Sequence, residues 1–239
     1  MKLSIGIGAL LLWSACATPT QSLSSARISA SPDPMNMNNK QAVLVLDMQN
    51  DFCHSEGKMH GMVKDELART DVVASSLRLV RAAQAKGVLS IVSPIHFDYS
   101  QPASSAPEGI AAPIFEMRAF DGTSFGGELL EAFERLTHED HVIKMSKPSL
   151  SAFTGTDLDR ILKERGIEEI FVAGLLTNYC VENTVRDAFD LGYRVRVVED
   201  ATATFDTEQR DYAMNTIFPM LGKVVTVDEF SSAPAASRQ

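Results

Sequence analysis

The feature that most constrains the fold is an unbroken apolar run at 42–46, with the sequence AVLVL. A short run without polar alternation suits a strand that is buried on both faces, as in a parallel sheet. Segments with helical periodicity alternate with five further strand-like runs, at 88–92, 141–145, 169–173, 194–198 and 223–227. Six strands alternating with helices predict an α/β fold, a three-layer α/β/α sandwich around a mainly parallel six-stranded sheet.

Apolar residues at helical spacing predict the helices between these strands. One helix is expected to begin with Asp71 as its N-cap and to stop at Gly87. The others are expected near 126–136, 158–166, 181–192 and 208–217. Residues 97–125 carry Pro, Ser and Gly without a clear period, which predicts a long loop of the kind that often forms a binding loop or lid.

The N-terminal sequence predicts a signal peptide at 1–17, since Lys2 precedes an apolar run and then small residues around Cys16. The protein is therefore expected to be exported to the periplasm, with a lipid anchor at Cys16 as an alternative. A cytoplasmic location follows instead if translation starts at Met35 or Met37.

The rest of the 239-residue chain is expected to form one domain. Residues 18–39 are mostly small and polar and predict a flexible linker. The domain is predicted at 40–232, followed by a C-terminal tail at 233–239.

The charge and the motifs exclude several classes of partner. A net charge of −9 disfavours nucleic acids and anionic membranes, which require basic surfaces. No glycine-rich phosphate-binding motif follows any predicted strand, so no nucleotide cofactor is expected. The expected partner is a small-molecule substrate.

Three reactive side chains lie just beyond the predicted strands, where open parallel sheets bind their ligands: Asp47, Lys147 and Cys180. The thiol of Cys180 stands near a helix start, where the helix dipole favours the thiolate and is expected to lower the pKa. A carboxylate at Asp47 can accept the thiol proton and return it to a leaving amine. Lys147 would stabilise both anions, and it is preferred to Lys144 because Lys144 falls inside the strand.

Around these residues the chain resembles the isochorismatase-like cysteine hydrolases, over about residues 40–230. The resemblance rests on Lys147 and three blocks, 45–52 (VLDMQNDF), 151–158 (SAFTGTDL) and 174–181 (GLLTNYCV). It implies a three-layer α/β/α fold and a catalytic triad of Asp47, Lys147 and Cys180. It also implies a cis peptide bond between Leu175 and Leu176, and an oxyanion hole formed by the backbone N–H groups of Leu176 and Cys180.

The resemblance also indicates which reaction to expect. Family members that cleave a vinyl ether lack the cysteine, so Cys180 favours hydrolysis of an amide or ureido C–N bond through a thioester. Nicotinamidases of the family bind a metal through an Asp-x-His pair, but here Pro94 replaces the aspartate before His96. We therefore expect no catalytic metal and no cofactor.

Four residues near the predicted site are candidates for substrate binding, although each is also suited to core or loop packing: Phe52, His96, Phe97 and Tyr179.

Alternatives to a C–N hydrolase remain open at this stage. One is a vinyl-ether hydrolase, and another is a non-catalytic or redox protein in which Cys53 and Cys180 form a disulfide. Family members commonly assemble, so a homo-oligomer is expected.

Overall fold

The computed structural model describes residues 40–100 and 107–233. The predicted signal peptide and linker, and all of the predicted tail except Ala233, lie outside the described residues. Within those residues, no helix combines the length and the apolar character needed to cross a membrane.

The described residues form one six-stranded sheet in the order β3-β2-β1-β4-β5-β6, and every neighbouring pair of strands is parallel. The strands are β1 (Gln41–Leu46), β2 (Leu89–Ser93), β3 (Val142–Lys144), β4 (Glu169–Leu175), β5 (Arg194–Ala203) and β6 (Lys223–Val225). The parallel sheet confirms the fold predicted from the alternating apolar runs.

The burial of the central strands explains why the apolar runs of the sequence predict the sheet. All seven residues of β4 are buried, and so are five of the six in β1. A strand covered by helices on both faces has no solvent side, so its sequence is continuously apolar rather than alternating.

Helices connect the strands and flank the sheet. Within the described residues they are α1 (Asn50–Cys53), α2 (His60–Thr70), α3 (Val72–Ala85), α4 (Ala111–Met117), α5 (Glu131–Leu136), α6 (Leu158–Glu164), α7 (Glu182–Asp190), α8 (Thr207–Tyr212), α9 (Phe218–Leu221) and α10 (Val227–Ser232). With this strand order, the general right-handedness of crossovers predicts α3 and α5 on one face of the sheet and α6 and α7 on the other.

The connections differ from the prediction in three places. An unpredicted helix, α2, precedes α3. Asp71 occupies the predicted N-cap position of α3, where its backbone carbonyl accepts from the N–H of Ser75, but its φ is 50° and its side chain makes no capping bond. The helix predicted near 126–136 is shorter, because only α5 and a 3₁₀ turn at Phe125–Gly127 form there. The loop predicted at 97–125 contains α4.

The strand order reverses between β1 and β4. The chain moves outward from β1 through β2 to β3, then returns to the other side of β1 and continues outward from β4. Connections therefore diverge at the carboxyl ends of β1 and β4, which leaves a crevice at this point of the sheet.

Gly174 allows β1 and β4 to approach closely at this crevice. Its φ is 113°, and a Cβ atom there would lie 2.2 Å from the carbonyl oxygen of Leu46. No side chain fits at such a distance from backbone, so the position requires glycine.

We predict that Gly174→Ala destabilises the protein by about 2–4 kcal/mol, because it adds backbone strain to a steric clash. Gly61→Ala is the matched control, since a Cβ at this helical position meets nothing within 4 Å. The control is expected to stabilise by roughly 0.5–1 kcal/mol. Equilibrium unfolding in guanidinium measures both, and equal effects of the two substitutions would contradict the close approach of the strands.

Candidate active site

Three side chains from separate parts of the chain meet beside the crevice. The Nζ atom of Lys147 lies 3.0 Å from Oδ2 of Asp47 and 3.5 Å from Sγ of Cys180. The exposed fractions are 0% for Asp47, 1% for Lys147 and 5% for Cys180. The structure thus brings together all three residues of the predicted triad, in a site almost closed to solvent.

Strand ends place each of these side chains. Asp47 is the first residue beyond β1, and its φ of 58° turns the chain away from the sheet. Lys147 follows β3 and pairs in parallel with Ile95, which follows β2. Cys180 lies in a wide helical turn, Thr177–Val181, which connects β4 to α7.

The ammonium group of Lys147 is fully enclosed by acceptors. Besides Asp47 and Cys180, it donates to the carbonyl oxygen of Ser149 at 3.1 Å. Lys144, the other lysine of this segment, instead pairs with Glu134 at the surface. Lys147, which lies beyond the end of β3, therefore reaches the site, whereas Lys144, inside β3, does not.

Burial and charge together set the protonation of the site. Burial raises the pKa of Asp47, and the Lys147 ammonium opposes this rise. Burial likewise raises the pKa of the Cys180 thiol; the Asp47 charge raises it further, while Lys147 lowers it. Burial disfavours the charge of Lys147, but Asp47 and Cys180 outweigh burial, so the pKa of Lys147 is raised.

Burial raises the pKa of both acidic groups, and each affects the pKa of the other, so Asp47 and Cys180 titrate as a coupled pair. The lowered pKa expected for Cys180 from its helix start is wrong, because burial and the Asp47 charge raise this pKa by more than Lys147 lowers it.

The turn that carries Cys180 has the backbone expected of it. The peptide bond between Leu175 and Leu176 is cis. Asn178, within the turn, donates to Oε1 of Gln209 at 2.8 Å and accepts a hydrogen bond from Thr204. These bonds attach the turn to α8 and to the end of β5. The oxyanion role of the Leu176 and Cys180 N–H groups stays a prediction.

Two of the candidate substrate-binding residues, Phe52 and Phe97, pack against other aromatic rings. Phe52 is 4% exposed and packs its ring 4.7 Å from that of Phe120. Phe97 packs 5.4 Å from the ring of Phe115. Both rings contribute to the packing of the segment beyond β2.

The other two candidates are partly exposed. The Nε2 atom of His96 lies 2.9 Å from the carbonyl oxygen of Gly127. Tyr179 neighbours Cys180 in the chain and meets the ring of Phe205 edge-on, with 5.6 Å between centroids. Of the four candidates, Tyr179 is the one adjacent to Cys180 in sequence, and its substrate contact stays a prediction.

Cys53 and Cys180 are both free thiols in the structure. Burial raises the pKa of Cys53 to about 12, with a further contribution from the Asp47 charge. A thiol with this pKa remains protonated at neutral pH and is a poor nucleophile.

Two polar residues of the segment after β1 have structural roles, which the sequence indicated for Asp51 but not for Gln49. The carboxylate of Asp51 accepts from the backbone N–H groups of Lys58 at 3.0 Å and Phe120 at 2.6 Å, so it joins two loops. Gln49 is fully buried and bonds to the backbone of Ile95 and Gly127. Their short spacing from Asp47 was the one available signal, but hydrogen bonds to distant backbone leave no mark in sequence.

The comparisons with known proteins agree with this geometry. A family model described as the isochorismatase domain matches residues 41–229. The chain belongs to the isochorismatase family.

Other members of the isochorismatase family resemble the chain over most of its length. The ureidoacrylate amidohydrolase RutB of Enterobacter sp. (strain 638) is 33% identical over 205 residues, covering 80% of this chain and 88% of the relative. A cysteine hydrolase from Pseudomonas syringae pv. phaseolicola 1448A superposes with a TM-score of 0.67 at 26% identity, covering 80% of this chain and 91% of the other. N-carbamoylsarcosine amidase from Thermoplasma acidophilum gives a TM-score of 0.62 at 26% identity, with coverages of 79% and 96%.

The sequence predicted no catalytic metal, because Pro94 replaces the aspartate of the expected Asp-x-His pair. In this chain the described residues include no group of three or more His, Cys, Asp or Glu side chains placed to hold a metal ion. Pro94, at the position of the first family ligand, offers no side-chain donor.

The charges around Cys180 predict opposite effects for two substitutions. Asp47→Asn removes the charge that raises the thiol pKa, so the pH midpoint for alkylation of Cys180 should fall. Lys147→Met removes the charge that lowers it, so the midpoint should rise. Iodoacetamide labelling, followed by mass spectrometry of the Cys180 peptide across a pH series, measures both. Shifts in the same direction would contradict the charge arrangement.

Proposed function

We propose that the protein hydrolyses a C–N bond of a small amide or ureido compound, with Cys180 as the nucleophile. The observation that carries this proposal is the buried contact of one ammonium group with both a carboxylate and a thiol. This arrangement supplies a nucleophile, a group that can take and return its proton, and a charge that stabilises both.

Two of the similar proteins support the choice of bond. The names ureidoacrylate amidohydrolase and N-carbamoylsarcosine amidase both describe compounds with a carbamoyl group on nitrogen. For this chain, we infer a substrate of the same broad class, a small molecule with a primary amide or ureido group.

The proposed reaction begins with transfer of the Cys180 proton to Asp47. The sulfur attacks the carbonyl carbon, and the backbone N–H groups of Leu176 and Cys180 hold the resulting oxyanion. Asp47 then gives the proton to the leaving nitrogen as the C–N bond breaks, which leaves a thioester on Cys180. Water, deprotonated by Asp47, hydrolyses the thioester and restores the thiol.

Lys147 keeps its proton throughout this cycle. Because its pKa is raised by Asp47 and Cys180, it remains a cation while the negative charge moves between carboxylate and sulfur. The burial of the pair increases the effect of this cation, since water screens it little.

The proposed reaction uses no metal. We also propose, as the sequence predicts, that the protein is exported and that it forms a homo-oligomer. The metal-free reaction has a direct check, because a chelator should leave the rate unchanged. Loss of activity with chelator, restored by a divalent cation, would replace the metal-free proposal with a metal-assisted one.

The test is ammonia release from a panel of small primary amides and ureido compounds. Cys180→Ala should lower the rate on any substrate by on the order of a thousandfold or more, because no other group of the site can form the thioester. Cys53→Ala is the matched control and should keep the wild-type rate.

Each other outcome points to a different function. Ammonia release that survives Cys180→Ala would contradict nucleophilic catalysis by Cys180. A rate that falls with Cys53→Ala, together with a Cys53–Cys180 disulfide found in protein kept without reductant, would favour the redox function.

A further inference from the structure

Gln49 is a buried polar residue close in sequence to Asp47 that is not part of the triad. It lies two residues beyond Asp47 and is 0% exposed. Its Nε2 atom donates to the carbonyl oxygens of Ile95 at 2.9 Å and Gly127 at 2.8 Å. Its Oε1 atom accepts from the backbone N–H of Ile95 at 2.8 Å.

The side chain of Gln49 supplies hydrogen bonds at the point where the pairing of β1 with β2 has ended. β1 and β2 pair in register up to Leu46 and Ser93, and the N–H of Asp47 still donates to Ser93 at 3.1 Å. The positive φ of Asp47 then turns the backbone away, so that the sheet ladder stops. A carboxamide has the same donor and acceptor as a peptide group, and that of Gln49 bonds to both backbone groups of Ile95.

The residues on either side of Ile95 bond in turn to Lys147. The N–H of Lys147 donates to the carbonyl oxygen of Pro94 at 2.9 Å, and the N–H of His96 donates to the carbonyl oxygen of Lys147 at 2.9 Å. A continuous row of hydrogen bonds thus runs from the turn that carries Asp47, through Gln49 and Ile95, to the backbone of Lys147.

We propose that Gln49 is a positioning residue that sets the separation of Asp47, Lys147 and Cys180. This inference rests on the proposed function, since it assigns Gln49 to the geometry of that same site. Gln49 acts only through backbone groups. The Nζ atom of Lys147 lies 3.0 Å from Oδ2 of Asp47 and 3.5 Å from Sγ of Cys180, so a displaced Lys147 backbone would weaken both contacts.

The test substitutes Gln49→Met, which has a similar length but makes none of the three hydrogen bonds. We expect kcat to fall by roughly tenfold to a hundredfold on the best primary amide of the panel, with little change in KM, because a small displacement of reacting groups is costly. The pH midpoint for iodoacetamide labelling of Cys180 should rise, in the same direction as for Lys147→Met. Gln49→Asn should behave similarly, because its carboxamide is one methylene too short to reach Ile95.

Ser76→Ala is the control for general loss of stability. The Ser76 hydroxyl is fully buried and donates to the carbonyl oxygen of Ala201, away from the triad. It should lower the unfolding midpoint and leave both kcat and the labelling midpoint unchanged. If Gln49→Met does not fold, the kcat and the labelling midpoint of Gln49→Asn test the positioning role instead.

The outcomes separate this inference from the proposed function. A labelling midpoint that rises for Lys147→Met but stays at the wild-type value for a folded Gln49 variant would overturn the positioning role alone. A midpoint that does not move for Lys147→Met would contradict the role of Lys147 itself. If kcat fell equally in Ser76→Ala, general destabilisation would explain the loss of activity in the Gln49 variants, and the positioning role would be overturned.

Discussion

The structure of the site depends on one buried ammonium group. Lys147 is 1% exposed, and a cation removed from water in this way persists only with anionic or dipolar partners. Asp47 and the Ser149 carbonyl supply these partners, and Cys180 completes the shell. Removing one member of such a pair leaves an uncompensated charge, which typically costs about 3–5 kcal/mol.

That constraint explains why the chemistry lies where the strand order reverses. The partners come from the ends of different strands, and the crevice where the strand order reverses gives their side chains room to converge. Gly174 lets the two strands approach at this point, and Asp47 turns the chain so that its carboxylate faces the ammonium group. Fold and site are thus specified by the same few residues.

The protonation state follows from the same enclosure. An exposed carboxylate would be too weak a base to take a thiol proton, but burial raises the pKa of Asp47 toward the range in which it can. Burial also keeps Cys180 protonated until a substrate arrives. In the proposed reaction, Asp47 therefore has to take this proton before the sulfur can attack the substrate.

The sequence predicted the sheet well because buried parallel strands are continuously apolar, as in β1 and β4. It also located Asp47, Lys147 and Cys180, because reactive residues at strand ends are a local signal and because the family motifs cover them. It missed α2 and α4, whose polar or short sequences have weak periodicity, and it gave the wrong sign for the Cys180 pKa. That sign depends on burial, and the contacts of Gln49 depend on backbone 46 and 78 residues away.

The most direct test of the account is the mass of the Cys180 peptide during turnover. Protein mixed with an excess of a primary amide substrate and quenched in acid should carry one acyl group on Cys180 and none on Cys53. Asp47→Asn should carry none, since it cannot take the thiol proton or protonate the leaving nitrogen. Turnover with no acyl group on Cys180 at any quench time, in a protein whose Cys180→Ala variant remains active, would contradict the account.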